Sequence, residues 1–357
     1  MIEAVLRSLR QISHPLTTVL PRTNGGGCGI HFDAGSLQFV RLTRVAGSAR
    51  CRLDAYGAAA LEDDVLRGGL LAKPEAAARR LGELLDRVGT SPGGLRDDTV
   101  VLALPAHLLK THVIDYPPDM PVRALRAWCE RHAALLLPGG SGLGPRTRVG
   151  VTWAEPGSHR LRLYACEAEL VDDRLAALEM VGVRVHAVDV AHAAGRRAFQ
   201  WAWPTAHEAA DGLRLQDLHE AGSTTPISPI ALLQVSDHDL DLSVFDANGC
   251  VADVRERFDG VNGSPDALAS VVREWLGRLP VVAVSLHVAT QGVTPDMLAA
   301  ICDALALACS IPARPFDPLR QFDTSGACAP QPSSVERTSL AVACGLALRA
   351  MSMQGGA

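Results

Sequence analysis

Apolar positions along the chain switch between helical and strand spacing in a regular order. Residues 2–13 set Ile2, Val5, Leu6, Leu9 and Ile12 one helical turn apart, with Arg7 and Arg10 opposite and Pro15 closing the pattern. This predicts an amphipathic helix, docked on the protein's own body or on a membrane surface or partner. Gly25, Gly26 and Gly27 then read as a flexible joint. Residues 28–32 and 37–43 are strand-like and flank the small-residue turn Asp33, Ala34, Gly35, Ser36, which predicts a hairpin. A third strand over 51–55 follows, then a helix over 74–88 with Ala77, Leu81, Leu84 and Leu85 on one face, then an apolar strand over 99–104 ended by Pro105. That order suits a mixed sheet with helices on its faces.

A second unit reads as strand 110–115, helix 122–137, strands 148–154 and 160–166, helix 171–181 and strand 185–189. Polar residues 204–228, with Pro204 and Pro226, mark a boundary. Beyond it the hairpin theme returns: strands 230–235 and 240–246, a turn at Asn248 and Gly249, and a third strand over 250–257. A helix over 265–279, a strand over 281–288, a helix over 295–308 and a last helix over 335–351 complete the chain. Two halves that each open with strand, turn, strand, strand and helix imply a duplicated unit.

The 357 residues are enough for two cores of ordinary size. Apolar residues make up 48% and charged residues 20%, a globular balance. The net charge of -5, with no arginine stripe interleaved by aromatics, argues against a nucleic-acid partner. Nine cysteines, an odd number without a C-x-x-C pair, indicate reduced, cytosolic usage. Residues 1–22 lack the apolar core of a signal peptide, and no apolar run reaches the length of a spanning helix.

Chemistry is sparse. Gly139, Gly140, Gly142 and Gly144 follow a helix, whereas a phosphate-binding glycine fingerprint follows a strand and opens a helix, so they read as a linker. The twelve histidines form no H-E-x-x-H motif, and the pairs His107 with His112 and His186 with His192 lack ligand spacing, so no metal is expected. There is no G-x-S-x-G elbow, and Glu167 and Glu169 read as solvated residues at a strand end.

Four segments nevertheless resemble the PilM family of type IV pilus assembly proteins, part of the actin-like ATPase superfamily. Residues 29–44, G-I-H-F-D-A-G-S-L-Q-F-V-R-L-T-R, follow without a gap the family pattern G-I-D-I-G-S-S-S-V-K-A-V-x-L-x-R. Residues 102–117 resemble its exit strand, lysine and proline-ended strand. Residues 161–189 resemble the subdomain shared with the division protein FtsA, ending in its G-V-x-V-x-A-V-D segment, and residues 341–349 resemble the closing A-x-G-L-A-L-R. The resemblance implies an α/β, two-lobed actin-like fold, a duplicated ribonuclease H-like unit with a small inserted SHS2-like subdomain. Its divisions would be an N-terminal segment and glycine linker (1–27), a first lobe (28–109), an insert (110–192), an interlobe linker (193–228), a second lobe with a reduced cleft-closing subdomain (229–334) and a C-terminal helix returning to the first lobe (335–357).

The resemblance also implies a nucleotide cleft, which this sequence has altered. In such a cleft Gly/Ser turns donate to phosphate and one carboxylate per lobe holds Mg²⁺. Here His31 stands where the first aspartate is expected, Asp33 where a glycine is, and Gln234, Val235, Ser236 where the second lobe would read D-I-G. The cleft would retain Gly29, His31, Asp33, Gly35, Ser36, Gln234, Ser236 and, near the base, Gly292. ATP with Mg²⁺ is the cofactor the family would supply, but none is expected without the two acids. In the alternative reading, Asp33, on the same strand face as His31, replaces the lost acid and keeps a nucleotide-dependent switch with Gly35 and Ser36. The implied partner is the N-terminal cytoplasmic tail of the membrane protein PilN, lying between first lobe and insert, bordered by Lys110, His112, Ile114, Tyr116 and Arg126. Other platform proteins and self-association are expected as further contacts. The protein would be cytoplasmic and peripheral to the inner membrane; a type II secretion role is a third alternative.

Overall fold

The computed structural model describes residues 25–33, 35–45, 50–117, 120–133, 147–153, 160–203, 228–247, 249–258, 264–291, 293–324 and 334–354. The expected helix over 2–13, the glycines at 139–144, Gly292 and most of the 204–228 boundary lie outside them.

The chain opens with a meander, β1 (Gly27–Asp33), β2 (Ser36–Arg44) and β3 (Cys51–Ala60), followed by a small ribbon, β4 (Leu66–Arg67) and β5 (Leu70–Leu71). Helix α1 (Pro74–Arg87) and β6 (Thr99–Leu104) come next. Then follow β7 (Lys110–Asp115), α2 (Val122–Ala133), β8 (Thr147–Trp153), β9 (Arg160–Glu167), α3 (Ala168–Met180), β10 (Ala187–Val190) and α4 (Ala191–Ala202). The second half runs β11 (Ile230–Val235), β12 (Asp239–Asp246), β13 (Gly249–Arg257), α5 (Pro265–Arg278), β14 (Ser285–Thr290), α6 (Pro295–Cys309), β15 (Ala313–Pro315), α7 (Ser334–Ser339) and α8 (Ala341–Gln354).

Two five-stranded sheets have the same plan. In one the order is β10-β6-β1-β2-β3 and in the other β15-β14-β11-β12-β13, each an antiparallel meander extended by two parallel strands. The duplication is therefore real, and the fold is the two-lobed actin-like one. Register repeats too: His31 pairs with Gln38 in the first hairpin, and Gln234 with Asp241 in the second.

Burial explains the sequence of β1. All seven of its residues are buried, because helices cover both faces of the sheet. Cys28, Ile30 and Phe32 pack with Leu81, Leu84, Leu85 of α1 and Leu178 of α3. On the other face α8 lies so close that a Cβ on Gly29 would sit 2.0 Å from the carbonyl oxygen of Ala343. Strand β6 divides its apolar residues the same way, Val100 and Leu102 toward α1, Val101 and Ala103 toward α8. Between the lobes Val40 and Leu53 share a cluster with Phe199, Leu232, Phe245 and Phe316, so the lobes meet through a continuous apolar core.

Several expected boundaries change. Segment 110–192 divides: β7, β9 and β8 form a separate three-stranded sheet with α2 on it, whereas α3 packs on α1 and β10 joins the first sheet. Residues 193–202, expected as linker, belong to helix α4, whose Ala194 and Phe199 are buried. Gly25–Gly27 is no free joint either. Gly26 donates to the Asp98 carboxylate and its carbonyl accepts from Thr99 and Gln354, while Gly27 begins β1. The strand expected over 281–288 starts at Ser285, with Val282 exposed, and the last helix breaks at Leu340. Helix α8 does return to the first lobe, against β1, β6 and α4.

Candidate functional site

Two concavities flank the first sheet, and they differ in what fills them. The first is the interlobe cleft, at which both hairpins aim. His31 and Asp33 from β1, and Gln234, Ser236 and Asp241 from the second hairpin, line a cavity of about 80 Å³. Cofactor pockets commonly occupy about 300 Å³ or more.

The chain's own side chains occupy the space. Gln234 Nε2 donates to the carbonyl of His192 on α4 at 3.0 Å and lies 3.4 Å from Asp241 Oδ1. Its carboxamide stands where any side chain on Gly195 would be, with Oε1 1.7 Å from such a Cβ. Asp241, an acid that sequence reading missed, accepts from Ser243 Oγ at 3.0 Å and is 3% exposed. Burial raises its carboxyl above the usual range, against the pull of Arg196.

On the first-lobe side His31 is 1% exposed; its ring nitrogens make no hydrogen bond of good geometry, and the Gln291 side chain is the polar group that interacts with the imidazole. Burial, assisted by the Arg174 charge, pushes its imidazole down to about 3, so it is neutral at physiological pH. Arg174 of α3 is itself fully buried, donating to Leu170 O at 2.8 Å and Gly69 O at 2.6 Å. A fixed guanidinium thus sits behind His31 and Asp33, and its charge acts on both. At the cleft mouth His107 joins the lobes: its backbone N–H donates to Asp239 Oδ2 at 2.9 Å and its ring meets His238 edge-on at 4.6 Å.

The second concavity, about 310 Å³, lies between the first sheet and the inserted one. Its walls are two edge strands, β10 and β8, which close their sheets on facing sides of the groove. Leu104, Val171, Val190 and Tyr164 make an apolar floor. Asp189 sits at one end, paired with Arg349 Nη1 at 2.8 Å and Arg197 Nη1 at 3.1 Å. Burial alone would raise its carboxyl, but the charges of Arg349 and Arg197 outweigh it and hold Asp189 well below the usual carboxylate range. Arg148 of β8 stands at the other side, bonded to Asp172 at 2.8 Å. Two arginines facing one carboxylate leave the Asp189 end of the rim electropositive, while Asp172 offsets Arg148 across the groove.

The site residues expected from sequence divide accordingly. His31, Asp33, Gln234 and Ser236 do meet in the cleft, whereas Gly29 faces α8, and Gly35 and Ser36 form the hairpin turn outside the cavity lining. Gly29 therefore answers to the close approach of α8. Four of the five expected partner residues, Lys110, His112, Ile114 and Tyr116, do not line the groove. Strand β7 is the far edge of the inserted sheet, so Lys110 and His112 point to solvent, while Ile114 and Tyr116 pack in the insert's own core. Arg126 belongs to α2, which covers the opposite face of that sheet. The groove residues missed, Asp189 and Arg349, were within two of the segments that resemble a family, but nothing in either segment showed that they pair.

Among the described residues no group of side chains could hold a metal ion, and no helix is long and apolar enough to cross a membrane. No protein-family model and no curated protein matches the chain. Among solved structures it is similar to the PilM-PilN type IV pilus biogenesis complex, at 17% identity over 91% of this chain and 98% of that one, with a TM-score of 0.66. It is more distantly similar to ethanolamine utilization protein EutJ from Carboxydothermus hydrogenoformans, at 10% identity over 97% of each chain and a TM-score of 0.46. A third is the cytoplasmic domain of EpsL, an inner membrane component of the type II secretion system of Vibrio cholerae, at 11% identity over 92% of this chain and 95% of that one, with a TM-score of 0.41. At such identities the likeness establishes fold.

Proposed function

We propose that this chain is a cytoplasmic scaffold of a type IV pilus inner-membrane platform, and that its groove between first lobe and insert takes the N-terminal tail of a PilN-like membrane protein without ATP turnover. The observation that carries this reading is the groove itself: about 310 Å³, apolar at its floor, charged at its rim and bounded by two strand edges. An extended peptide gains main-chain hydrogen bonds from a strand edge and specificity from pockets for alternate side chains. One solved structure of similar fold is a complex of PilM with PilN, and the sequence resemblance points the same way. The interlobe cleft supports the second half of the reading, since Gln234 and His31 stand where two metal-organising acids would be needed and the space left is about 80 Å³.

Gly150 gives a clean test. It lines the groove on β8, and a Cβ there would meet nothing closer than Tyr164 Cβ at 3.9 Å, an ordinary contact. Gly150→Leu should therefore fold while obstructing the groove. Isothermal titration with a PilN-type N-terminal peptide, in the absence of nucleotide, is expected to show binding to wild type, binding weakened about tenfold or more in Gly150→Leu, and unchanged binding in His31→Ala. Binding that requires ATP, or is lost in the His31 variant alone, overturns the proposal. So does magnesium-dependent ATP hydrolysis abolished by Asp33→Ala.

A further inference from the structure

The two lobes treat the outer strand of their meanders differently. In the first, β3 is covered. Asp323 runs beside it, accepting from Leu53 N at 2.8 Å and donating to Cys51 O at 3.1 Å, and the guanidiniums of Arg87 and Arg80 donate to Ala58 O and Ala60 O, each at 2.9 Å. Its counterpart β13 has no such cover among the described residues. Among the described residues no strand or backbone bond occupies the outer edge of residues 252–256. An uncovered edge is a template for another strand.

Val251 is the extra residue of a bulge opposite Val244 and Phe245, which leaves 252–256, A-D-V-R-E, as the regular part of the edge. Ala252 and Val254 pack toward the α5 and α6 core, so a strand added here would extend an existing apolar layer. Asp253 and Arg255 alternate onto the other face. Asp253 is 3.2 Å from Arg196 Nη1 and 3.7 Å from Arg162 Nη1 with its side chain 37% exposed, and its carboxylate has lone pairs for a further donor. Arg255 is exposed, with Nη1 3.4 Å from His192 Nδ1.

We propose that β13 pairs antiparallel with β13 of a second copy of this chain about a twofold axis at Val254, with Asp253 of each copy opposite Arg255 of the other. Charge selects this register. Moving the axis to Asp253 or to Arg255 sets that residue against itself, and an axis between Val254 and Arg255 sets Asp253 against Glu256. An axis between Asp253 and Val254 makes no charge pair. The Val254 register makes two opposite-charge pairs and no like-charge pair, and like charges directly opposite are unfavourable. The pairing joins second lobes and uses none of the residues that line the groove, so it stands or falls independently of the groove's occupant.

Sedimentation of the full chain over a range of concentrations tests it. Wild type is expected to dimerise; Asp253→Arg and Arg255→Asp should each weaken the dimer about tenfold or more, since each creates two like-charge pairs. Combining both substitutions restores the opposite-charge pairs and should restore the dimer. In a Cys250→Ser background, Val254→Cys should form an intermolecular disulfide on mild oxidation, because directly opposite strand residues have Cα atoms within disulfide reach. A monomer at the highest soluble concentration overturns the proposal. A dimer indifferent to the single swaps, or no rescue by the double swap together with no Val254→Cys cross-link, does the same.

Discussion

The first and second lobes carry the same hairpin and use it in opposite ways. At the same ladder position the first has His31 opposite Gln38 and the second has Gln234 opposite Asp241, four polar side chains within a buried sheet. In the second lobe the group is internally satisfied, Gln234 reaching α4 and Asp241, and Asp241 reaching Ser243. In the first, His31 has only a weaker contact with Gln291, and Gln38 Oε1 makes no hydrogen bond. The second-lobe position ties its strand to α4, and the first-lobe position holds a neutral imidazole amid surrounding packing. A duplicated fold thus uses one ladder position in two ways, and one side chain that crosses the cleft is enough to fill much of it.

The strongest break of this comparison comes one pleat earlier. Gly29 in the first lobe corresponds to Leu232 in the second, since they pair with Val40 and Ser243 at matching registers. Gly29→Ala must push the backbone of α8 away and should cost about 3 kcal/mol. Leu232→Ala removes a fully buried side chain from the cluster shared by the lobes and should cost a similar amount, about 3 kcal/mol. Urea unfolding of both variants checks the pair. A tolerated Gly29→Ala would mean that α8 does not press on β1.

Next in size is the same substitution made at both hairpin positions. Gln234→Leu strips the donor from the His192 carbonyl and from Asp241, and should destabilise by about 2 kcal/mol. His31→Leu removes a neutral, buried imidazole that has only a weak contact with Gln291, and should change stability by less than about 1 kcal/mol at neutral pH. Equal losses at the two positions would refute the contrast drawn between the lobes.

What the sequence made legible follows from how local each signal is. The duplicated hairpins, the apolar face of α1 and the buried strand β6 were readable because periodicity within one segment determines them. His31, Asp33, Gln234 and Ser236 were readable as a cleft because a family pattern aligns them. The groove was not, since its Asp189 and Arg349 come from segments far apart in the chain and meet only when α8 returns to the first lobe. The packing role of Gly29 was not legible, because a glycine needed for close helix approach and one needed for a phosphate look alike in sequence. Helix α4 was hidden by the polar stretch that follows it, and its place against Gln234 decides how the cleft is closed.

The smallest expected effect isolates His31 by its titration. Its imidazole is held down at about 3 in the folded protein against an ordinary 6.5, by burial first and the Arg174 charge second. Below 6.5 the unfolded chain takes up a proton that the folded chain refuses, so the stabilisation is complete above that value and is lost progressively as pH falls toward about 3. Between pH 6.5 and about 5.5 this amounts to about 1 kcal/mol. His192 and His287, pushed down by burial, act with the same sign, so wild type alone cannot separate them. The difference between wild type and His31→Leu can: the variant should lose about 1 kcal/mol less stability over that interval, measured by urea midpoints at the two pH values. Parallel pH dependences for the two proteins would show that His31 is protonated or solvated in the fold, and that the first-lobe hairpin, like the second, has found a partner.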